Sequence, residues 1–301
     1  MKLMVFDVGG TEIKYGLMDD DLKITENGHV PTPMDSFEHF AQVIQEIYNP
    51  FKKECEGIAM SLPGFVDTEN GRVNGGGALS YNWGTPVAGL LSERCGCPVV
   101  LENDGKAAAQ AEFYCGSLKG CKNAAVFVIG TGVGGGLIIN GELVRGRHFT
   151  AGEFSFVNTD SSRFDAVDSF MGFNCSTSAL LSIYQEKTHS EESIDGREFF
   201  TLLESDPFAK ESLDLFTERI AKQIYNLYWL LDLEKVAIGG GISRQPILLA
   251  KINEKFEQIK KDNPVKSYLP DIHIEIVPST FGNDANLIGA YMTYCQRMKS
   301  C

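Results

Sequence analysis

A chain of 301 residues with 43% hydrophobic and 22% charged residues has an ordinary globular balance and the length for two domains or one large one. Its formal net charge of −13 excludes the basic footprint that a nucleic-acid binder uses to displace counterions, and points instead to a small-molecule ligand. No run approaches the roughly 20 apolar residues of a membrane span, and the opening MKLMVFDVGG is too short an apolar stretch, interrupted by Asp7, to act as a secretory signal. Eight cysteines, at 55, 95, 97, 115, 121, 175, 295 and 301, form no CxxC pair and have no His at zinc-finger spacing. They read as reduced thiols of a cytoplasmic protein, with Cys95 and Cys97 a weak candidate for metal ligation.

In chain order, LMVFDVGG reads as a strand ending in a glycine turn, IKYGLMD as the returning strand and DDD as the next turn. Over 36–49, apolar residues at Phe37, Phe40, Val43, Ile44 and Ile47 predict an amphipathic helix with Ser36 as its N-cap. GIAMSLPGFVD is a buried strand running into a loop, PVVLEND another strand, and GKAAAQAEFYCGS an alanine-rich helix that closes near Gly116. The opening grammar then returns: AAVFVIGTG is a strand into a glycine turn, and GGLIING a returning strand with a hairpin turn at Asn140–Gly141. Residues 195–232 are mostly helical, WLLDLEKVAIGGG ends a helix and gives a strand and glycine loop, IHIEIVPS is a late strand, and NDANLIGAYMTYCQRM a terminal helix. Gly10–Thr11 matches Gly130–Thr131 and Gly16–Leu17 matches Gly136–Leu137, each 120 residues on. A repeat this long predicts a duplicated domain rather than a solenoid, with a glycine turn from each copy facing one cleft.

Four segments can carry chemistry: FDVGGTEIKYG at 6–16, LENDGKAAAQAE at 101–112, IGTGVGGG at 129–136 and IGGGIS at 238–243. Glycine turns let backbone N–H groups approach phosphates closely, and Thr11 and Thr131 each add a hydroxyl. Three such turns, each directly after a strand, predict a nucleotide site. GTGVGG at 130–135 also matches the dinucleotide fingerprint, but that fingerprint requires a helix after the turn and LIINGELV reads as a strand. No P-loop motif is present. Asp104 sits where a strand ends and a helix begins, which suits equally an N-cap and a carboxylate at the ligand-binding edge of an α/β sheet.

Taken in order, these segments resemble the ROK family of bacterial sugar kinases and repressors, within the actin-like ATPase superfamily, from about residue 2 to residue 292. DVGGT at 7–11 is similar to the family's first phosphate motif, LENDGKAAAQAE to its sugar and catalytic segment, and GTGVGGGLIINGELVRG to its second phosphate motif. AGEF at 151–154 is similar to the sugar-binding glutamate segment, IGGGIS to the adenosine segment, and GNDANLIGA to the closing helix. The resemblance implies an α/β fold of the two-domain actin-like (ribonuclease H-like) type, with a duplicated mixed-sheet domain and an interdomain cleft. Residues 1–118 with 284–301 would form the smaller domain and 119–283 the larger. It implies ATP with Mg²⁺ as cofactor, a sugar as acceptor, a cytoplasmic setting and a homodimer, without nucleic-acid or membrane partners.

Position by position, Asp104 would be the catalytic base. Asn103 and Glu153 would bind sugar hydroxyls, with Gly64 and Phe156 also at the sugar. Asp7 would orient Mg²⁺ through water. Gly9, Gly10, Thr11, Thr131 and Gly132 would cradle phosphates, and Gly240 and Gly241 would lie by the adenosine. The chain departs from the family where many members carry a His after the sugar glutamate and then a cysteine-rich zinc motif. Here Phe156 takes the His position, and Cys175 is the one cysteine of the stretch SSRFDAVDSFMGFNCSTSALL, so no zinc is expected. This zinc-less form most resembles the β-glucoside kinases of the family, which phosphorylate O6, with glucokinase and N-acetylmannosamine kinase as rivals. A sugar sensor without turnover is the other class of reading. The repressor branch is disfavoured, because its helix-turn-helix precedes the first strand and its charge differs.

Overall fold

The computed structural model describes residues 1–190 and 193–299; Cys301 lies outside the described residues. The chain forms two compact units, one of Met1–Tyr114, Arg145–Ala151 and Asp284–Cys301, the other of Cys115–Val144 and Gly152–Asn283.

In the first unit β1 (Leu3–Val8), β2 (Glu12–Met18), β3 (Ile24–Pro31), β4 (Gly57–Leu62) and, beyond the small hairpin β5 (Val66–Asp67) and β6 (Arg72–Val73), β7 (Val99–Asn103) build the main sheet in the order β3-β2-β1-β4-β7. β1, β4 and β7 run parallel, and β2 and β3 return antiparallel. The near-continuous apolar character of β1 and β4 follows from burial of both faces. β3 is an edge strand, half-exposed along its length, with Glu26 at φ 48° and a register shift between Tyr15 and Leu17 of β2. That irregular, polar strand carries no clean alternation for a sequence reading to catch. Helix α1 (Phe37–Tyr48) is capped by Ser36, whose Oγ accepts from the amide of His39 at 3.2 Å, and buries Phe40, Ala41, Ile44 and Tyr48. α2 (Val87–Cys95) and α3 (Asp104–Cys115) complete this part of the unit.

In the second unit β8 (Ala124–Ile129), β9 (Val133–Ile139), β10 (Glu142–Leu143), β11 (Lys235–Gly239) and β12 (Glu275–Pro278) form a sheet in the order β10-β9-β8-β11-β12. Its strand senses repeat those of the first sheet, two antiparallel pairings followed by two parallel ones. The duplication read from the glycines is therefore a duplicated sheet. Gly16 lies opposite Val5, the third residue of β1, and Gly136 opposite Val126, the third residue of β8. Four residues (9–12) separate the paired Val8 and Ile13 and three (130–132) separate Ile129 and Val133. The 120-residue offset thus holds for the second strand of each pair and becomes 121 for the first. Asn140 and Gly141, both at positive φ, make the expected hairpin turn.

Helices α4 (Met171–Asn174), α5 (Thr177–Thr188), α6 (Gly196–Leu202), α7 (Pro207–Leu231) and α8 (Pro246–Asp262) cover this sheet, and α9 (Ala285–Lys299) closes the first unit against β1, β4 and β7. α7 starts as its sequence dictates, with Asp206 accepting from the Phe208 amide at 2.8 Å and Pro207 in the first turn. Each unit has its own hydrophobic core. The described cysteines are all free thiols. Among the described residues no group of three or more His, Cys, Asp and Glu could hold a metal ion, so Cys95 and Cys97 gain no further ligands. No helix of the described residues is long and apolar enough to cross a membrane.

Candidate active site

The parallel strands of the first sheet bring their carboxyl ends to one edge, where open α/β sheets bind ligands. Asp7, Ser61 and Glu102 stand side by side on β1, β4 and β7. Side chains in register on parallel strands share a face, with neighbouring strands roughly 4.8 Å apart. Ser61 Oγ donates to Asp7 Oδ1 at 2.8 Å, and Asn286 Nδ2, from the start of α9, donates to the same oxygen at 2.9 Å. Two donors on Oδ1 fix the orientation of the carboxylate. Mg²⁺ held through water and by nucleotide phosphates needs few protein ligands, so this donor set fits it. Beyond Asp7 the turn closes through the Gly9 amide bonded to Glu12 O at 2.9 Å, with Gly10 and Thr11 exposed at its tip.

At the end of β7 the helix cap falls to Asn103. Asn103 Oδ1 accepts from the amide of Lys106 at 3.0 Å, so the buried Asn103 is the cap of α3. Asp104 is half-exposed, and its Oδ1 accepts from the Gly105 amide at 2.7 Å and from Asn103 Nδ2 at 3.0 Å. Asn103 Nδ2 also donates to Gly64 O at 3.0 Å, which ties the loop after β4 to the same turn. Gly64, Asn103 and Asp104 are thus brought together. Beneath them Glu102 is fully buried, with Arg145 Nε and Nη2 on its Oε2 at 2.9 and 2.6 Å. Its Oε1 accepts from the Asn103 amide at 3.0 Å and from Thr68 Oγ1 at 3.2 Å.

In the second unit, the turn 130–132 and the loop at Gly240–Gly241 leave the carboxyl ends of the neighbouring parallel strands β8 and β11. Gly240 packs so closely on β8 that an added Cβ would lie 2.1 Å from Ile129 O, and its φ of 95° is one that only glycine adopts readily. The turn 130–132 is followed by strand β9 and not by a helix, so the dinucleotide fingerprint is absent here. Its Thr131 is exposed at the tip. Thr177, the first residue of α5, donates its amide to Gly130 O at 2.8 Å. The GEF segment is pinned to the same turn: Ser155 Oγ donates to Val133 O at 3.1 Å and accepts from the Val133 amide at 3.0 Å. The Phe154 ring meets Phe127 edge-on at 4.6 Å. Glu153, half-buried, begins this 3-10 turn, and Phe156, at its end, is 63% exposed.

Sequence reasoning missed Ser61, Asn286, Ser155, Thr68, Glu102 and Arg145 as parts of these sites. The motifs LEND and GELVRG contain two of them, yet nothing local says that the two meet.

Both units carry the sheet order of the actin-like ATPase fold expected from the sequence. Over its whole length the chain is similar to the β-glucoside kinase of Klebsiella pneumoniae, 29% identical over 303 residues, covering 100% of this chain and 98% of the relative. The β-glucoside kinase of Listeria monocytogenes is 30% identical over 301 residues, with 98% of each chain covered. Among solved structures, a ROK family protein from Streptococcus pneumoniae in complex with sucrose superposes with a TM-score of 0.87 at 29% identity, covering 100% of both chains. The model of the ROK family matches residues 4–297, and with the two duplicated sheets and their glycine turns this establishes that the chain belongs to the ROK family.

Proposed function

We propose that the protein is an ATP-dependent sugar kinase whose acceptor is a hexose substituted at C1, a β-glucoside, phosphorylated at O6. The observation that carries the kinase reading is the end of β7, where Asn103 makes the cap bond to the Lys106 amide and Asp104, held through Oδ1 by the Gly105 amide and Asn103 Nδ2, keeps its carboxylate half-exposed. Asp104 takes the proton from the attacking hydroxyl. Both hydrogens of Asn103 Nδ2 are spent inside the protein, so a sugar hydroxyl donates to its Oδ1. Glu153 accepts from another hydroxyl. The turns 9–11 and 130–132 present backbone N–H groups and the Thr11 and Thr131 hydroxyls to the phosphates, and Gly240 and Gly241 leave room beside the adenosine. Asp7 would hold Mg²⁺ through water, and the ion would supply charge neutralisation at the phosphates. Positioning and electrostatics supply the rate in such a transfer. A cytoplasmic homodimer accords with this reading.

The β-glucoside choice is supported by the names of the relatives, and substitution at C1 by Phe156 and by the sucrose bound to the Streptococcus protein, whose glucose is linked through C1. An exposed aromatic face suits the apolar side of a second ring or an aglycone. A side chain without a donor does not reject an acceptor for lacking a free hydroxyl. The test is kcat/KM for cellobiose or an aryl β-glucoside against glucose and N-acetylmannosamine. We expect the substituted sugars to be preferred; a tenfold preference for an unsubstituted one, about 1.4 kcal/mol, would move the assignment to a monosaccharide kinase.

Zinc is not expected to copurify in stoichiometric amount. The segment around Cys175, which has no cysteine cluster, is held by side-chain contacts: Arg163 Nη2 spans both oxygens of Asp168 at 2.7 and 2.8 Å, and the rings of Phe164 and Phe170 meet at 5.5 Å. Burial pushes the Cys175 thiol up to about 12. Metal analysis that finds one zinc per chain, retained through mild chelation, would contradict this.

A further inference from the structure

We infer that Arg145 is a positioning residue for the base, acting through Glu102; this rests on the kinase reading of Asp104. A carboxylate with no exposed surface persists only when its charge is paired and its lone pairs are filled. Arg145 supplies two of the four donors to Glu102, and the other two come from Thr68 and from the amide of Asn103. That amide belongs to the residue that caps α3 and bonds Asp104 Oδ1. Any drift of the Glu102 carboxylate therefore passes by two hydrogen bonds to the base. Strand β7 alone does not hold Glu102: its cation arrives on the segment Arg145–Ala151, which belongs to the first unit although the chain on either side of it belongs to the second. The segment is closed on itself by the Ala151 amide on Arg145 O at 3.2 Å. The flat two-donor edge of a guanidinium meets one oxygen with both arms, a geometry that an ammonium cannot reproduce.

The test uses the full-length chain with Arg145→Lys, Arg145→Met and the double variant Glu102→Gln/Arg145→Met. The double variant leaves no buried charge unpaired, so it folds even if Arg145→Met does not. Three quantities are read: thermal stability, kcat with KM for sugar and for ATP, and hydrogen exchange of the amides of residues 101–106. We expect kcat about 10- to 100-fold lower in Arg145→Lys and in the double variant, as for a slightly displaced catalytic group. ATP KM stays at its wild-type value, and faster exchange is confined to residues 101–106. A double variant that is stable and turns over at the wild-type rate, or an Arg145→Lys variant indistinguishable from wild type, overturns the inference and leaves a structural ion pair. Absence of turnover in the wild type for every sugar refutes the kinase reading instead. Exchange then decides alone: unchanged protection of 101–106 in Arg145→Lys overturns the coupling of Arg145 to this turn, and locally faster exchange sustains it.

Discussion

Asp104→Asn is expected to lower kcat by ~10²–10⁴-fold, the range for loss of a general base, while the protein folds and binds sugar as before. In barrier terms that is about 2.7–5.4 kcal/mol. The fold survives because the hydrogen bonds of Asp104 from the Gly105 amide and Asn103 Nδ2 both end on Oδ1, an atom that asparagine keeps. The helix cap survives because it belongs to Asn103. What asparagine cannot do is accept the proton of the attacking hydroxyl. Sugar affinity by calorimetry should stay close to wild type while turnover collapses, the signature of an interaction used only in the transition state. A variant that keeps more than about a tenth of wild-type kcat would show that Asp104 is not the base.

Gly240→Ala is the second large effect, and it falls on stability and on ATP together. The backbone there, φ 95° and ψ 176°, lies in a region that costs a side-chain-bearing residue about 1–3 kcal/mol. The new methyl would also sit 2.1 Å from the carbonyl oxygen of Ile129, and relieving such overpacking costs about 1–3 kcal/mol more. Since the obstacle is the backbone of β8, the loop must lift away from the strand end that carries the 130–132 turn. The melting temperature should fall by about 5–15 °C, and KM for ATP should rise more than KM for the sugar. Gly241→Ala is the control within the same motif: nothing lies within 4 Å of its added Cβ, so its melting temperature should stay near wild type. Equal melting temperatures for the two variants would mean that the close approach of Gly240 to β8 is not strained.

The strand–turn–strand repeats, the capped helix at 37–48 and the hairpin at Asn140–Gly141 were legible because each rests on neighbours in sequence: a period of two, a period near 3.6, a serine before an apolar face, an Asn-Gly pair. The glycine turns after β1, β8 and β11 belong to the same class, since a turn directly after a buried strand is a local event. The edge strand β3 escaped because it buries too little to show a pattern.

At the site, the sequence by itself determined the residue types on offer: the carboxylates Asp7 and Asp104, the amide of Asn103, the glycine turns and the aromatic Phe156. It offered Asp104 for the task of capping α3, set equally against a place at the ligand-binding edge of the sheet. Only the tertiary structure gave that task to Asn103. Only the structure placed Ser61 and Asn286 on Asp7, 54 and 279 residues away, and Arg145 on Glu102, 43 residues away. The physical reason is that secondary-structure patterns record which face of an element is buried, over a few residues. The partner of a buried carboxylate is chosen by whichever distant segment the fold delivers to it, since a buried charge must be paired wherever the partner comes from.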